Sequence, residues 1–111
     1  MRIHSLHSAK AVEPAPGLVR RTLANNAEGM VCHFELKKGA VIPLHSHRAV
    51  QIGFVLEGRV AFIGERPEDA FEAANGDSYA FDAYQFHGAT ILEDAKVLEF
   101  FTPTRVEYLD S

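Results

Sequence analysis

Residues 39–58, GAVIPLHSHRAVQIGFVLEG, carry the strongest signal in the chain. They contain His45, His47 and Gln51, which are spaced two and four residues apart. Because alternate side chains of an extended chain lie on one face, these three side chains are expected to point the same way. Imidazole nitrogens are the commonest side-chain metal ligands, and a glutamine carbonyl oxygen can complete the shell of a divalent ion. The stretch therefore predicts three ligands of a metal site.

A fourth ligand is expected from a second segment, because one short stretch does not close the coordination of a metal ion. That segment reaches His87, which stands among Phe81, Tyr84 and Phe86. We expect these aromatic residues to form core and pocket wall. The predicted ligands of one divalent ion are His45, His47, Gln51 and His87. Nickel, zinc, manganese and iron all remain open, since histidine-rich sites bind several first-row metals.

Length and composition predict one domain without nucleic-acid or membrane partners. The chain has 111 residues, a net charge of −4 and no cluster of basic residues. No apolar run approaches the roughly 20 residues that span a bilayer. The first ten residues lack an apolar signal core, so we expect a cytoplasmic protein. The single cysteine, Cys32, allows no internal disulfide and is expected to be a small core residue.

Apolar alternation with frequent turn signals and no helical period predicts an all-β barrel or sandwich of about ten short strands. A tight hairpin is expected at Glu57-Gly58, and strand 50–56 is expected to be buried on both faces. Residues 1–10 could add an edge strand, while residues 11–17, with two prolines, are expected to form a linker. The expected parts of the domain are N-terminal strands and linker (1–28), barrel core (29–102) and tail (103–111). The further expected strands are 18–23, 29–37, 40–44, 59–63, 70–74, 78–81, 87–92 and 96–102.

The two histidine segments together resemble the two motifs of the cupins. The first cupin motif is Gly, five residues, His-x-His, three residues, an acidic or amide ligand, six residues and Gly; here Gln51 replaces the usual Glu. The second motif is matched at Gly76 and His87. It departs from the family at Asp82, Tyr84 and Ile91, where Pro, Gly and Asn are usual. The resemblance implies a small single-domain cupin of the RmlC-like, cupin 2 type: a double-stranded β-helix, or jelly-roll barrel, with a metal in its mouth.

The amide at Gln51 has a chemical consequence. Three neutral imidazoles and a neutral amide leave the charge of about +2 on a divalent ion uncompensated. Such a site attracts anionic molecules, and it favours polarising a carbonyl or stabilising an enolate over redox turnover. This argues against a dioxygenase without excluding one.

A closer resemblance lies in residues 99–105, EFFTPTR. They are similar to the C-terminal pattern Asp-x-Phe-x-Pro-x-Arg of small cupins that ketonise unsaturated uronates in pectin degradation, whose Asp, Phe and Arg belong to the active site. Carried over by position, the resemblance implies that Glu99 takes the acid/base place, Phe101 faces the sugar and Arg105 holds its carboxylate. Glu in place of Asp lengthens the acid by one methylene. Arg-Ala-Val after His47 also departs from the acidic, His-containing sequence often found there.

Two classes of function stay open at this stage. One is a metal-dependent isomerase that converts 4,5-unsaturated uronates, a class of sugar acids, to linear keto forms. The other is a cupin that resembles a dioxygenase, or a non-catalytic, sensory cupin that binds a metal and an anion. Exposure of Glu99 and Arg105 to the metal pocket favours the enzyme, whereas a surface ion pair between them would be functionally silent. His33 either lines the pocket or faces away from it.

A homodimer is also predicted. The N-terminal strands have no obvious partner within so short a barrel, and a strand from a neighbouring copy would cover an open sheet edge.

Overall fold

The computed structural model describes residues 1–110, which form eight strands and three short 3-10 helices. Every strand pairing is antiparallel. The strands are β1 (Ala11–Ala15), β2 (Leu18–Asn25), β3 (Met30–Leu36), β4 (Val41–His45), β5 (Val50–Ile63), β6 (Phe71–Ala74), β7 (Ser78–Phe81) and β8 (His87–Thr102). The 3-10 helices are Leu6–Ser8, Pro67–Asp69 and Val106–Tyr108. The predicted all-β class is confirmed. Across residues 1–110 there is no helix with the length and apolar character needed to span a membrane.

All eight strands form one hydrogen-bonded sheet, and its two longest strands, β5 and β8, run through both halves of it. They pair with each other from Val50 opposite Thr102 to Ile63 opposite Gly88. The first half of β5 and the second half of β8 continue through β7 on one side and β3, β2 and β1 on the other. Their remaining halves pair with β6 and β4. Buried apolar side chains form two clusters: a larger one with side chains from both halves of the sheet, and a smaller one of Met30, Cys32, Ala49 and Phe101.

The predicted hairpin at Glu57-Gly58 is wrong, because this site bends a continuous strand. The β5–β8 register shifts repeatedly between Val55 and Val60, and Gly58 adopts a φ of 94°. A Cβ atom on Gly58 would lie 2.3 Å from the main-chain oxygen of Asp94 in β8. The glycine therefore permits a bulge where β5 passes from one half of the sheet to the other. Residues 50–56 and 59–63 are therefore parts of one strand, β5, and residues 87–92 and 96–102 are parts of one strand, β8. There are eight strands among residues 1–110 and not about ten.

The N-terminal predictions also need correction. Residues 11–15 form β1 and not a linker, while residues 1–10 contain a 3-10 helix and no strand. Pro14 is compatible with β1 because this strand lies at the sheet edge and is irregular between Val12 and Ala15. Both β1 and β2 have partners within the chain, so the argument that predicted a homodimer from unpaired N-terminal strands is wrong.

The first half of β5 is buried on one face only, contrary to the prediction. Its inward side chains include Val55, which is fully buried. The outward ones are 40–47% exposed, and Phe100 of β8, directly opposite Ile52, is equally exposed. We call this set the outer apolar face: Ile52, Phe54, Leu56 and Phe100.

Candidate functional site

Three histidines lie close together at the point where β4 ends and β8 begins. His45 is the last residue of β4 and pairs directly with His87, the first residue of β8. His47 follows in the loop that leads to β5. One ring nitrogen from each histidine can be chosen so that all three lie within 4.8 Å of one another. The structure therefore brings together the three histidines that the sequence singled out, and this cluster indicates a metal site.

The backbone fixes the tautomer of each histidine. The Nδ1 atoms of His45, His47 and His87 each lie 2.8 Å from a main-chain carbonyl oxygen two residues away. A carbonyl oxygen only accepts, so each Nδ1 carries the hydrogen and each Nε2 keeps its lone pair. This is the arrangement that orients histidine ligands around a metal.

Gln51 contributes an oxygen to the same space. It is the second residue of β5, and its Oε1 lies 3.1 Å from Nε2 of His47. The amide oxygen and this nitrogen are both hydrogen-bond acceptors, so no hydrogen bond explains their close approach. A shared metal ion does, because two ligands that each lie about 2.1 Å from one ion, at right angles, are separated by roughly 3 Å. The buried Nε2 of His87 has no hydrogen-bond partner among the described residues. The residues present therefore fit a divalent ion.

Burial favours the metal-binding protonation state of His47 and His87. Desolvation lowers the pKa of His87 to about 4, with smaller contributions from His45, His47 and Arg105, although the bond to the Gln85 carbonyl opposes this. Desolvation also lowers the pKa of His47. Neutral imidazole is the form that binds metal, so little proton release is needed near neutral pH.

A small cavity adjoins the histidines. Its volume is about 80 Å³, and it is lined by His45, Gln51 and His87 together with Glu99, Phe101 and Arg105. The remaining lining residues are Phe34, Leu36, Ile42, Val97 and Tyr108. The three residues proposed from the C-terminal pattern thus lie beside predicted metal ligands and not on a distant surface.

Glu99 is a buried acid whose two oxygens have different surroundings. The Tyr79 hydroxyl donates a 2.8 Å hydrogen bond to Oε1, whereas the buried Oε2 has no hydrogen-bond partner among residues 1–110. Burial raises the pKa of Glu99 to about 7, against the lowering effects of Tyr79, the nearby Gln51 amide and Arg105. The same burial, with Glu99 beside it, raises the pKa of Tyr79.

Sequence reasoning missed Tyr79. A Cβ atom on Gly53 would lie 2.2 Å from Cζ and 2.3 Å from the hydroxyl oxygen of Tyr79, so the tyrosine occupies the space above this glycine. Gly53 stands opposite both Tyr79 and Glu99 in the sheet. A glycine inside a strand is a signal of close approach and could have pointed to this contact.

Arg105 reaches the cavity from the segment after β8. Its Nη1 donates to the Tyr108 hydroxyl at 2.9 Å, and its Nε donates to Glu107 at 2.8 Å. The guanidinium carbon lies 5.1 Å from the centroid of the Phe101 ring. Arg105 forms no ion pair with Glu99, so the surface ion pair considered from the sequence is absent.

Other candidates lie outside the cavity. His33 is buried on the opposite face of β3 from the cavity-lining Phe34, and Cys32 is fully buried, with a thiol pKa raised by desolvation. Phe81 packs as predicted and stacks on the His87 ring at 4.3 Å. Tyr84 and Phe86 are 64% and 43% exposed, so their expected place in the core or pocket wall is wrong.

Comparison with known proteins places the chain in a family. The family model of the cupin domain matches residues 32–102. KdgF from Halomonas sp. is similar at 27% identity with a TM-score of 0.89, over 98% of this chain and 99% of that chain. An RmlC-like cupin from Shewanella frigidimarina NCIMB 400 is 24% identical with a TM-score of 0.90, over 98% and 96%.

More distant structures share the fold alone. Oxalate decarboxylase from Lactobacillus farciminis, in its formate complex, is 21% identical with a TM-score of 0.80 and covers 95% of this chain and 34% of that chain. The search of curated proteins gave no match. The family model spans most of the chain, and the resemblance predicted from the sequence is confirmed: this protein belongs to the cupin family.

Proposed function

We propose that this protein is a metal-dependent isomerase that converts a 4,5-unsaturated uronate into its open-chain keto form. The observation that carries the proposal is the shared cavity: Glu99, Phe101 and Arg105 line it together with predicted metal ligands. The resemblance of residues 99–105 to the uronate-ketonising cupins and the similarity to KdgF along nearly the whole chain support it.

The metal would be held by His45, His47, Gln51 and His87. It would supply positive charge that stabilises a developing enolate. Since all four donors are neutral, the site favours an anionic ligand. Nickel, zinc, manganese and iron each suit this set of donors.

In the proposed reaction, the C1 hydroxyl of the cyclic uronate loses a proton and the bond between C1 and the ring oxygen breaks. This gives an aldehyde at C1 and an enolate at C4 and C5. Protonation at C4 then gives the 5-keto isomer, so the product keeps all atoms of the substrate. Glu99 would take the proton on its unpartnered Oε2 and return it to C4, while Tyr79 holds Oε1.

Arg105 and Phe101 would bind and orient the substrate. The Arg105 side chain is 16% exposed, and its planar guanidinium can hold a carboxylate through two hydrogen bonds. Phe101 is buried, and its ring centroid lies 5.1 Å from the Arg105 guanidinium carbon and 6.0 Å from the centroid of the His47 ring. The cavity volume of about 80 Å³ is well below the roughly 300–1,000 Å³ of typical small-molecule pockets, so a bound sugar acid would extend beyond the cavity.

The direct test follows loss of the ultraviolet absorbance of the conjugated enol in metal-loaded and metal-free protein. We expect Glu99→Gln to keep the shape of the site and to reduce kcat by about 10²- to 10⁴-fold, because an amide cannot exchange the proton. Arg105→Leu should mainly raise KM. Glu35→Gln, a change in an acid outside the cavity, is the matched control. If the substrate loses its absorbance only at the uncatalysed rate in the presence of metal-loaded protein, the enzyme proposal fails. The alternative, a non-catalytic cupin that binds a metal and an anion, then takes its place.

The protein is also proposed to be a homodimer, on different grounds from those the sequence offered. The outer apolar face places Ile52 and Phe100 side by side on the sheet, each 47% exposed, and such contiguous apolar surface is typical of protein interfaces. Light scattering should give twice the mass of the 12.3 kDa chain, and Phe100→Ser should shift it towards the monomer. A monomeric wild type at working concentration would refute this proposal.

A further inference from the structure

The segment after β8 returns to the pocket and is held there by long-range contacts. The Thr104 hydroxyl donates to the Asn26 carbonyl oxygen, and the Thr22 hydroxyl lies 2.6 Å from the Tyr108 carbonyl oxygen. This segment carries Arg105 and Tyr108, which both line the cavity. Its position therefore decides where a guanidinium group meets a ligand.

The Tyr108 ring connects two arginines. The guanidinium carbons of Arg20 and Arg105 both lie 4.1 Å from the centroid of this ring. The Tyr108 hydroxyl also accepts the 2.9 Å hydrogen bond from Arg105. A cation over an aromatic face is stabilised most where water is excluded, and Arg20 is only 4% exposed. The Arg105 side chain is thus oriented by a ring that packs on a buried arginine.

A buried ion pair closes this chain of contacts. Arg20 of β2 donates from Nη2 to Oδ1 of Asp110 at 2.7 Å, and the two side chains are 5% and 14% exposed. Burying two charges costs desolvation energy that their attraction barely repays, so such a pair is weak evidence for a stabilising role. Because Arg20 also packs on the Tyr108 ring, the ion pair can serve instead to hold this ring in place.

We propose that Arg20 and Asp110 are positioning residues for Arg105. They fix the Tyr108 ring, which holds the guanidinium of Arg105 at the cavity, and so they set the affinity for a carboxylate-bearing ligand. The consequence for substrate rests on the proposed function. The ordering of Arg105 does not, and it can be measured without substrate.

The first experiment measures, by NMR relaxation in protein without substrate, the order of the Arg105 Nη1–H bond that donates to the Tyr108 hydroxyl. In the wild type we expect a rigid bond vector, and in Asp110→Asn an order parameter below about 0.6, the range of flexible groups. Tyr108→Leu leaves the buried ion pair intact and should release Arg105 to the same extent, which covers the case in which Asp110→Asn does not fold. Glu35→Gln is the control: it removes a 2.7 Å ion pair with Arg21, the residue next to Arg20, and should leave Arg105 rigid.

The second experiment measures turnover of the unsaturated uronate by the same variants. Asp110→Asn is expected to raise KM roughly tenfold through misplacement of the carboxylate-binding group, with kcat changed by less than about twofold. A general loss of structure would instead lower kcat and the active fraction. The positioning role is refuted if NMR shows that Arg105 stays rigid in both variants, Asp110→Asn and Tyr108→Leu, when they are folded. It is also refuted if Arg105 becomes mobile in an active variant and the KM of that variant does not change. If Arg105 becomes mobile while even the wild type lacks turnover, the proposed function fails and the positioning role stands.

Discussion

Replacing Gly53 by alanine is expected to destabilise the protein through one neighbour, Tyr79. Gly53 does not occupy the left-handed region, so the backbone itself accommodates alanine. The new Cβ would stand 2.2–2.5 Å from three atoms of the Tyr79 ring and hydroxyl, which must therefore move. Movement of the tyrosine breaks its hydrogen bond to Glu99.

The expected cost combines two effects. Overpacking in a well-packed interior costs about 1–3 kcal/mol. Leaving the Tyr79 hydroxyl and the Glu99 carboxyl buried without their hydrogen bond costs about another 1–3 kcal/mol. The gain from restricting the unfolded chain, about 0.4–1 kcal/mol, offsets only part of this. We therefore expect Gly53→Ala to lower the free energy of unfolding by about 2–5 kcal/mol.

Urea denaturation of a double-mutant cycle is the assay. In a Tyr79→Leu background the offending ring atoms are gone, so Gly53→Ala should cost less than about 0.5 kcal/mol there. Gly29→Ala, whose added Cβ would have its nearest contact at 3.3 Å, is the matched control and should cost less than about 1 kcal/mol. Equal costs for Gly53→Ala in both backgrounds would refute the reasoning.

Two further predictions concern histidines. Adding a divalent ion at 100 times its Kd should raise the free energy of unfolding by about 2.7 kcal/mol, and a His87→Ala variant should lose this gain, as thermal unfolding with and without chelator will show. Burial lowers the pKa of His33 from 6.5, with Glu35 opposing and Arg21 and Lys96 assisting, so the unfolded chain takes up the proton first. Stability should therefore fall as the pH drops below about 6.5, and less so in His33→Gln; equal falls in urea midpoint would contradict this.

The spacing of the metal-site residues was the most readable part of the sequence. His45, His47 and Gln51 are close in sequence, but they converge from the end of β4, the following loop and the start of β5. Their motif spacing therefore predicted the site, whereas the periodicity of one strand does not account for it. The pairing of His45 with His87 required a second motif in the appropriate place. The spacing within residues 45–51 is local, and a sequence reports it well. The pairing with His87 is long-range and was predicted only from the second motif.

Features that depend on distant partners could not be predicted. A glycine such as Gly58 indicates a turn equally well for a hairpin and for a bulge in a continuous strand. Only the packing of Gly58 against the main chain at Asp94 in β8 distinguishes the bulge from the hairpin. Arg20 and Asp110 are 90 residues apart, and nothing near either one reveals the other. The sequence likewise shows Tyr79 as an ordinary strand residue, because its hydroxyl acts only through the fold.

The hydrogen bonds that orient the three histidines have a consequence for how the site tolerates mutation. Their acceptors are the main-chain oxygens of Pro43, Ala49 and Gln85, which every amino acid possesses. In many metal sites a carboxylate side chain accepts the hydrogen bond from the second ring nitrogen of the histidine, and one substitution removes this acceptor. Here no single side-chain replacement can remove an acceptor. A mutation must therefore move the backbone before it changes the tautomer of a ligand histidine. The ligands can therefore keep their orientation while the residues around them change.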